Sequence, residues 1–493
     1  MKDCKPLPQM TPEQAGIPSA AISRFLDRIE AAGLCMHSFI VLRKGAVVAE
    51  GYWKPFEEGQ PHRMYSSSKS VVSLAVGKMY DNKLIRLSDP ITQYFPDKLP
   101  EKPSRYTMCA TIRDLLMMAT QNNHTSYTRD DPDWVRTFFD SHSSHMPGTF
   151  FAYDTAATTV LCELVERLTG KTFYEYLAPE FEEIGISPGT DCIERPEGGA
   201  WGGSGLLIST RDYAKICLLC QRRGNWFGKQ LISHEYMLAA TTRQIDNSHI
   251  SRTSKAFQPA SGYGYQFWII PGNGFKFSGL GSQSALVFPE QDLIVATTAD
   301  TQGDNHAHEI DNAIYEEILA SLSDPLPEAP EAHAELLKKI ESLSMCVQSG
   351  ELASPLADQI HDRVFTMDPN AMGITQLSFH FTPGGGEFRY TNAQGECVIP
   401  FGFGKNVESK FPQKNYFGHR MGHCDGGQYR CFTSAAWTEP HKLFLRVFIC
   451  DRYFGNMTAV FSFREDTVSV YMQKAAEWFL DEYQGFTCGR TNP

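Results

Sequence analysis

Of all the lysines in this 493-residue chain, only Lys69 has a serine three residues before it, Ser66. Residues three apart face the same side of a helix, so the Lys69 amine can hang beside the Ser66 hydroxyl. A serine hydroxyl is a poor nucleophile until a neighbouring base takes its proton, and a lysine can be that base once it is pushed toward the free amine. The run Arg63-Met64-Tyr65-Ser66-Ser67-Ser68-Lys69-Ser70 reads as a tight turn delivering the serine onto a helix start. A helix N-terminus favours negative charge developing on the serine oxygen. The chemistry this predicts is an acyl-enzyme reaction at Ser66.

Spacing alone is a thin signal, since average composition yields about one or two Ser-x-x-Lys by chance in a chain this long. The plain alternative is a serine-rich helix cap with an exposed lysine. Context argues against it. After Lys69, the residues Val71, Val72, Leu74, Ala75, Val76 and Met79 are apolar around most of the helix, which is therefore expected to be buried. A lysine at the start of a buried helix is costly unless it has a task.

The elements around this pair follow from pattern. Residues 11–35 read as a helix, followed by strands Ser38–Leu42 and Ala46–Trp53 around the turn Arg43-Lys44-Gly45. Helices are expected at Thr111–Ala119, through Val160–Leu168, over Asp212–Arg223 and at His308–Leu322, with strands at Tyr263–Ile270, Gly274–Ser278, Ser284–Phe288 and Leu293–Thr298. Strands at both ends and helices between them predict an α+β fold, one antiparallel sheet flanked by helices with a helical insert. The stretch Asp324-Pro325-Leu326-Pro327-Glu328-Ala329-Pro330 breaks the pattern. We therefore expect a first domain over 1–325, a linker with a helix (Ala332–Leu343) over 326–349, and a C-terminal antiparallel β domain over 350–493 finished by a helix at Ala475–Tyr483.

Composition narrows the partners. Net charge is −12 with no clustered Lys/Arg run, which argues against nucleic acid or an anionic membrane. No apolar stretch approaches bilayer length and the start carries no apolar signal region, so a cytoplasmic location is expected. Thirteen cysteines without framework spacing fit reduced thiols. Cys217 and Cys220 lie at helical spacing and read as core, while His419, His423, Cys424 and Cys431 fit no common zinc pattern and read as a glycine-rich turn. No metal and no cofactor are expected. The expected partner is a small-molecule ester, amide or short peptide, and a homo-oligomer is compatible with the sequence.

Taken together, Tyr65-Ser66-Ser67-Ser68-Lys69-Ser70-Val71, Leu87-Ser88-Asp89-Pro90, Pro147-Gly148-Thr149 with Tyr153, Gly202-Gly203-Ser204-Gly205-Leu206 with Ser209-Thr210-Arg211-Asp212, and Tyr263-Gly264-Tyr265 resemble the serine β-lactamase-like hydrolases. That group includes class C β-lactamases, penicillin-binding carboxypeptidases, D-aminopeptidases and related esterases. The resemblance covers residues from about 10 to 322 and implies a β-lactamase/transpeptidase-like fold. It implies Ser66 as nucleophile, with Lys69 and Tyr153 as general base and acid. It also implies an oxyanion and substrate site at Ser278, Gly279 and Leu280, with the N–H groups of Ser66 and Leu280 facing the oxyanion.

Two departures are visible. Tyr153 is followed by Asp154 and Thr155, so the family's asparagine two residues on is absent, and Phe277-Ser278-Gly279 lacks the usual basic residue. Both point toward the esterase or acyltransferase branches and away from β-lactam recognition. The segment Met117–Asn123 also departs from the family's usual ending. The expected function is hydrolysis of an ester or amide through a Ser66 acyl-enzyme. The alternatives are transfer of the acyl group to an alcohol or amine, and a non-turnover, penicillin-binding-like sensor. The C-terminal domain is expected to cap the site or build a dimer interface.

Overall fold

The computed structural model describes residues 7–250, 261–413, 418–421 and 428–491. Two compact units emerge, one ending at Ser344 and the other beginning at Met345, with a short stretch at His419 counted in the first.

The first unit is built on a six-stranded antiparallel sheet in the order Ala46–Tyr52, Met36–Arg43, Leu293–Ala299, Gln283–Phe288, Gly274–Gly279, Trp268–Ile270. Its central strands are buried along their whole length because both faces are covered. On one face, Phe25 of the Ser19–Ala31 helix packs on Phe39 at 5.9 Å between ring centroids. On the other, Tyr213 of the Thr210–Gln221 helix meets Phe277 edge-on at 5.5 Å, and Thr210 and Ser38 share a hydroxyl contact of 2.6 Å. Cys217 and Cys220 are buried on that same helix. The helical insert, carrying Ser68–Asp81 and Thr155–Thr169, lies between the second and third strands in sequence, as the pattern predicts.

Several boundaries differ from the sequence expectation for identifiable reasons. The first helix starts only at Ser19, behind Pro18, because Thr11–Gly16 forms turns. The strand expected at Tyr263–Ile270 is confined to Trp268–Ile270. Gln266 has φ +67°, and its amide instead donates to the carbonyls of Leu115 and Leu116 at 3.0 Å each. The Thr111–Ala119 helix shortens to Ile112–Leu116 because Met118 turns at φ +54°. Within His308–Leu322 the backbone widens to a π-helical turn at Ile314–Ile318.

The second unit is a ten-stranded antiparallel sheet whose strand Gly395–Phe403 also pairs in parallel with Arg430–Glu439, closing it into a barrel. Phe379, Phe388 and Phe461 meet in its core at 4.8–5.4 Å. The helix expected at Ala475–Tyr483 is not formed. The Thr467–Ala476 strand runs into that segment, hydrogen-bonded to Phe454–Arg464, and Trp478 and Leu480 then turn with φ +61° and +60°, values a helix excludes.

Candidate active site

The Ser66 turn is held in a conformation the chain would not choose alone. Tyr65 has φ +45°, a left-handed value that costs a bulky residue about 1–3 kcal/mol. Its surroundings compensate. The buried Arg63 guanidinium stacks 4.0 Å over the Tyr65 ring and donates through Nε to the Ser204 carbonyl at 3.0 Å. The Ser68 hydroxyl donates to the Tyr65 carbonyl at 2.5 Å. Ser66 therefore sits in a single 3₁₀ turn, Tyr65–Ser67, that leads directly into the Ser68–Asp81 helix.

The neighbouring serines are struts rather than helix caps. Neither this turn nor the helix has a side-chain cap. Ser67 donates to the Gln283 carbonyl at 2.6 Å, Ser70 donates to the Gln266 carbonyl at 2.6 Å, and Ser68 accepts the Leu206 N–H at 3.1 Å. Each ties the nucleophile turn to a different element, and no local spacing could have revealed those partners.

Lys69 is buried, and its Nζ donates to Ser66 Oγ at 2.9 Å and to the Gly203 carbonyl at 2.5 Å. Gly203 is required at this approach, since a Cβ there would stand 2.6 Å from Thr155 Cγ2. The Tyr153 ring centroid lies 5.1 Å from the same Nζ, and the ring stacks on Trp268 at 5.7 Å. Ser66, Lys69 and Tyr153 are thus together, with Tyr153 half-buried against the sheet rather than turned away.

The segment Met117–Asn123 packs its backbone against the Tyr153 segment. The Met118 carbonyl accepts the Ala152 N–H at 2.8 Å, the Ala119 carbonyl accepts the Gly148 N–H at 2.7 Å, and Met118 Sδ accepts the Asp154 N–H at 3.4 Å. This backbone holds the Tyr153 segment against the site.

On the opposite side, the end of the Gly274–Gly279 strand abuts the nucleophile turn. A Cβ at Gly279 would lie 2.3 Å from the Met64 carbonyl oxygen, so only glycine lets the two backbones meet. Leu280, next along, is 43% exposed, and its carbonyl accepts from the Gln283 amide at 2.8 Å. Ser278 is half-buried on the same strand. The strand's basic residue is Lys276, buried and ion-paired with Asp311.

Asp154 is fully buried, and its Oδ1 accepts the Ala156 N–H at 2.8 Å to cap the Thr155–Thr169 helix. Burial pushes this carboxyl up to about 7, against the opposing pull of the Ala156 and Ala157 N–H groups, Asn122 and the Lys69 charge.

Other clusters have local roles. In the second unit, His361, Asp362 and His380 gather their ligand atoms within 4.8 Å. However, the Phe381 N–H donates to His361 Nδ1 at 3.2 Å, leaving the ring proton on Nε2, which faces Asp362 at 3.2 Å. That nitrogen has no lone pair for a metal, and Arg389 stands 3.8 Å from the same carboxylate. His419 lies on a segment whose backbone pairs with Glu194, and Cys431 is buried beside Ser409 at 3.2 Å. His423 and Cys424 lie outside the described residues.

Comparison with known proteins places this geometry in context. The model of the Beta-lactamase family matches residues 12–320. A 6-aminohexanoate-dimer hydrolase of Paenarthrobacter ureafaciens is 25% identical over 289 residues, 53% of this chain and 71% of its own. An uncharacterised protein of Alkalihalophilus pseudofirmus is 22% identical over 307 residues, 54% of this chain and 84% of its own. A solved Bacillus anthracis structure, provisionally named a 6-aminohexanoate-dimer hydrolase, superposes with a TM-score of 0.52 at 17% identity, covering 66% of this chain and 89% of that one. At that identity the structural likeness speaks to fold alone.

Proposed function

The chain belongs to the Beta-lactamase family, and we propose that it is a serine hydrolase that cleaves an ester or amide bond through a Ser66 acyl-enzyme. The observation that carries this reading is the 2.9 Å contact between Lys69 Nζ and Ser66 Oγ, with the buried amine also donating to the Gly203 carbonyl. As the free amine, Lys69 takes the Ser66 proton while Oγ bonds to the substrate carbonyl carbon. The developing oxyanion is received by the N–H groups of Ser66 and Leu280, donors of a kind each worth about 3–4 kcal/mol of barrier. Tyr153 delivers a proton to the departing alkoxide or amine as the tetrahedral adduct collapses. Water then attacks the acyl carbon and gives its proton to the Tyr153 phenolate, and Lys69 returns its proton to Ser66 Oγ as the acyl–Oγ bond breaks and the acid departs.

The substrate we propose is a small ester, amide or short peptide. The name of the Paenarthrobacter ureafaciens relative adds a linear amide to the compounds worth testing. Engagement of Lys276 by Asp311 supports weak recognition of β-lactam carboxylates, because the strand offers no other cation beside Ser278. We also propose residence in a reducing compartment such as the cytoplasm. The thirteen cysteines follow no disulfide-framework spacing, and among the described residues no helix is long and apolar enough to cross a membrane.

The test is a rate comparison on p-nitrophenyl esters and linear amides between the natural chain and Ser66→Ala. The expected result is loss of turnover in the variant. Equal rates would remove Ser66 from the chemistry.

A further inference from the structure

Gln283 stands where an aliphatic residue would serve the sheet. It is fully buried at the start of the Gln283–Phe288 strand, where an amide is costly unless its polar atoms are met. Both are engaged. Nε2 donates to the Leu280 carbonyl at 2.8 Å and to the Ala299 carbonyl at 2.7 Å, and Oε1 accepts the Ala299 N–H at 3.0 Å. The backbone of the same residue reaches two further places. Its carbonyl accepts the Ser67 hydroxyl at 2.6 Å, and it pairs across the hairpin with Gly279. One residue therefore ties together the nucleophile turn, the Gly279–Leu280 corner and the end of the Leu293–Ala299 strand.

These ties bracket both N–H groups assigned to the oxyanion. The Leu280 N–H belongs to the peptide that joins Gly279 to Leu280. Gly279 is held by pairing with Gln283, and the Leu280 carbonyl by the Gln283 amide. The Leu280 side chain, 43% exposed, is a weak anchor. Beyond it, Gly281 and Ser282 turn at φ +74° and +69° and are tied to Thr301 rather than to the nucleophile turn. On the other side, Ser67, next to Ser66, is fixed by its hydroxyl to the Gln283 carbonyl. An oxyanion hole works only while its donors keep their spacing, and a displacement of about 0.5 Å is enough to lose the benefit.

We propose that Gln283 is a positioning residue that sets the spacing of the two oxyanion donors, the N–H groups of Ser66 and Leu280. The proposal rests on the serine-hydrolase reading above. Gln283 makes no bond to substrate and moves no proton; it acts through Leu280 and Ser67. Removing the amide frees the Leu280 carbonyl, and the corner can then rotate its N–H away from Ser66. Removing the Ser67 hydroxyl releases the nucleophile turn from the other end. Either change weakens the stabilisation of charge on the oxygen of the tetrahedral adduct and leaves the Lys69–Ser66 contact in place.

The experiment compares kcat/KM on phenyl acetate and on its thiono analogue, in which sulfur replaces the carbonyl oxygen. The proteins are the full-length wild type, Gln283→Met and Ser67→Ala. Sulfur is a larger and weaker acceptor, so it gains less from N–H groups aimed at an oxygen. Because both esters are read on one sample, the fraction of folded protein cancels from their ratio. Gln283→Met is expected to lose about 10²-fold on the oxygen ester and about tenfold on the thionoester, so that the oxygen-to-sulfur ratio falls about tenfold. In Ser67→Ala the ratio is expected to fall by about threefold. If Gln283→Met does not fold, Ser67→Ala, which removes a single hydroxyl, decides alone. A ratio that stays at the wild-type value, with any loss shared equally by both esters, overturns the proposal while leaving Ser66 as nucleophile. Turnover of phenyl acetate by the wild type no faster than by Ser66→Ala instead overturns the serine-hydrolase reading, and this proposal with it.

Discussion

Lys69 Nζ stands 2.9 Å from Ser66 Oγ and 2.5 Å from the carbonyl of Gly203, a residue 134 positions away in the chain. The first contact follows from helical spacing. The second depends on the fold bringing a glycine-rich bend over the lysine.

Replacing Lys69 with alanine removes the proposed base while leaving Ser66 in its turn. Turnover of a p-nitrophenyl ester is expected to fall by about 10²–10⁴-fold, the range general-base catalysis contributes. Steady-state kinetics with circular dichroism on the same sample checks it, because a variant that folds normally and keeps full activity contradicts the base assignment.

Tyr153→Phe keeps the ring stacked on Trp268 and deletes only the hydroxyl. We expect kcat to fall by about 10²-fold or more on amides, whose leaving group needs a proton, and less on p-nitrophenyl esters, whose leaving group does not. Equal losses on both substrates would argue against Tyr153 as the acid.

Gly279→Ala would place a Cβ 2.3 Å from the Met64 carbonyl oxygen, a backbone atom that cannot swing aside. The strand must back away from the nucleophile turn, at a cost of about 1–3 kcal/mol in stability and with loss of activity. Thermal denaturation and ester turnover measure both, and an unchanged melting temperature with full activity would show that the two backbones have room.

How much of this was legible in the sequence depends on the range of each contact. Ser66 and Lys69 are readable because residues three apart share a face, here across the 3₁₀ turn that runs into the Ser68–Asp81 helix. Tyr153 was carried by resemblance, since nothing near it in sequence signals that its ring meets Lys69. Gly203 and the ties from Ser67, Ser68 and Ser70 to Gln283, Leu206 and Gln266 were beyond reach as contacts, because those partners are assembled by the tertiary fold. The misread helix at Ala475–Tyr483 shows the same limit from the other side. Its local pattern suits a helix, yet pairing with Phe454–Arg464 decides the backbone through Ala476.

Acid should weaken the fold through a buried histidine pair. His62 Nδ1 lies 2.9 Å from the Arg63 carbonyl and so carries the proton there. Its Nε2 accepts from His37 Nδ1 at 2.8 Å, which leaves His37 Nε2 facing Cys35 Sγ at 3.8 Å. Both rings are neutral and fully enclosed. Burial lowers His62 to about 4, and burial with the neighbouring His62 holds His37 well below its usual range. Below about pH 6.5 the unfolded chain takes up protons that the folded chain refuses, so stability declines from pH 6.5 toward 4, by up to about 1.4 kcal/mol per pH unit for each ring. Urea denaturation between pH 7 and 5 tests this. A free energy that stays flat or rises on acidification contradicts it.

The most direct test is to quench the full-length protein milliseconds after mixing with a p-nitrophenyl ester and map the acyl mass onto its peptides. The account predicts one acyl group, on the peptide containing Ser66, absent in Ser66→Ala and formed far more slowly in Lys69→Ala. An acyl group on another residue, or hydrolysis that persists in Ser66→Ala, would contradict it.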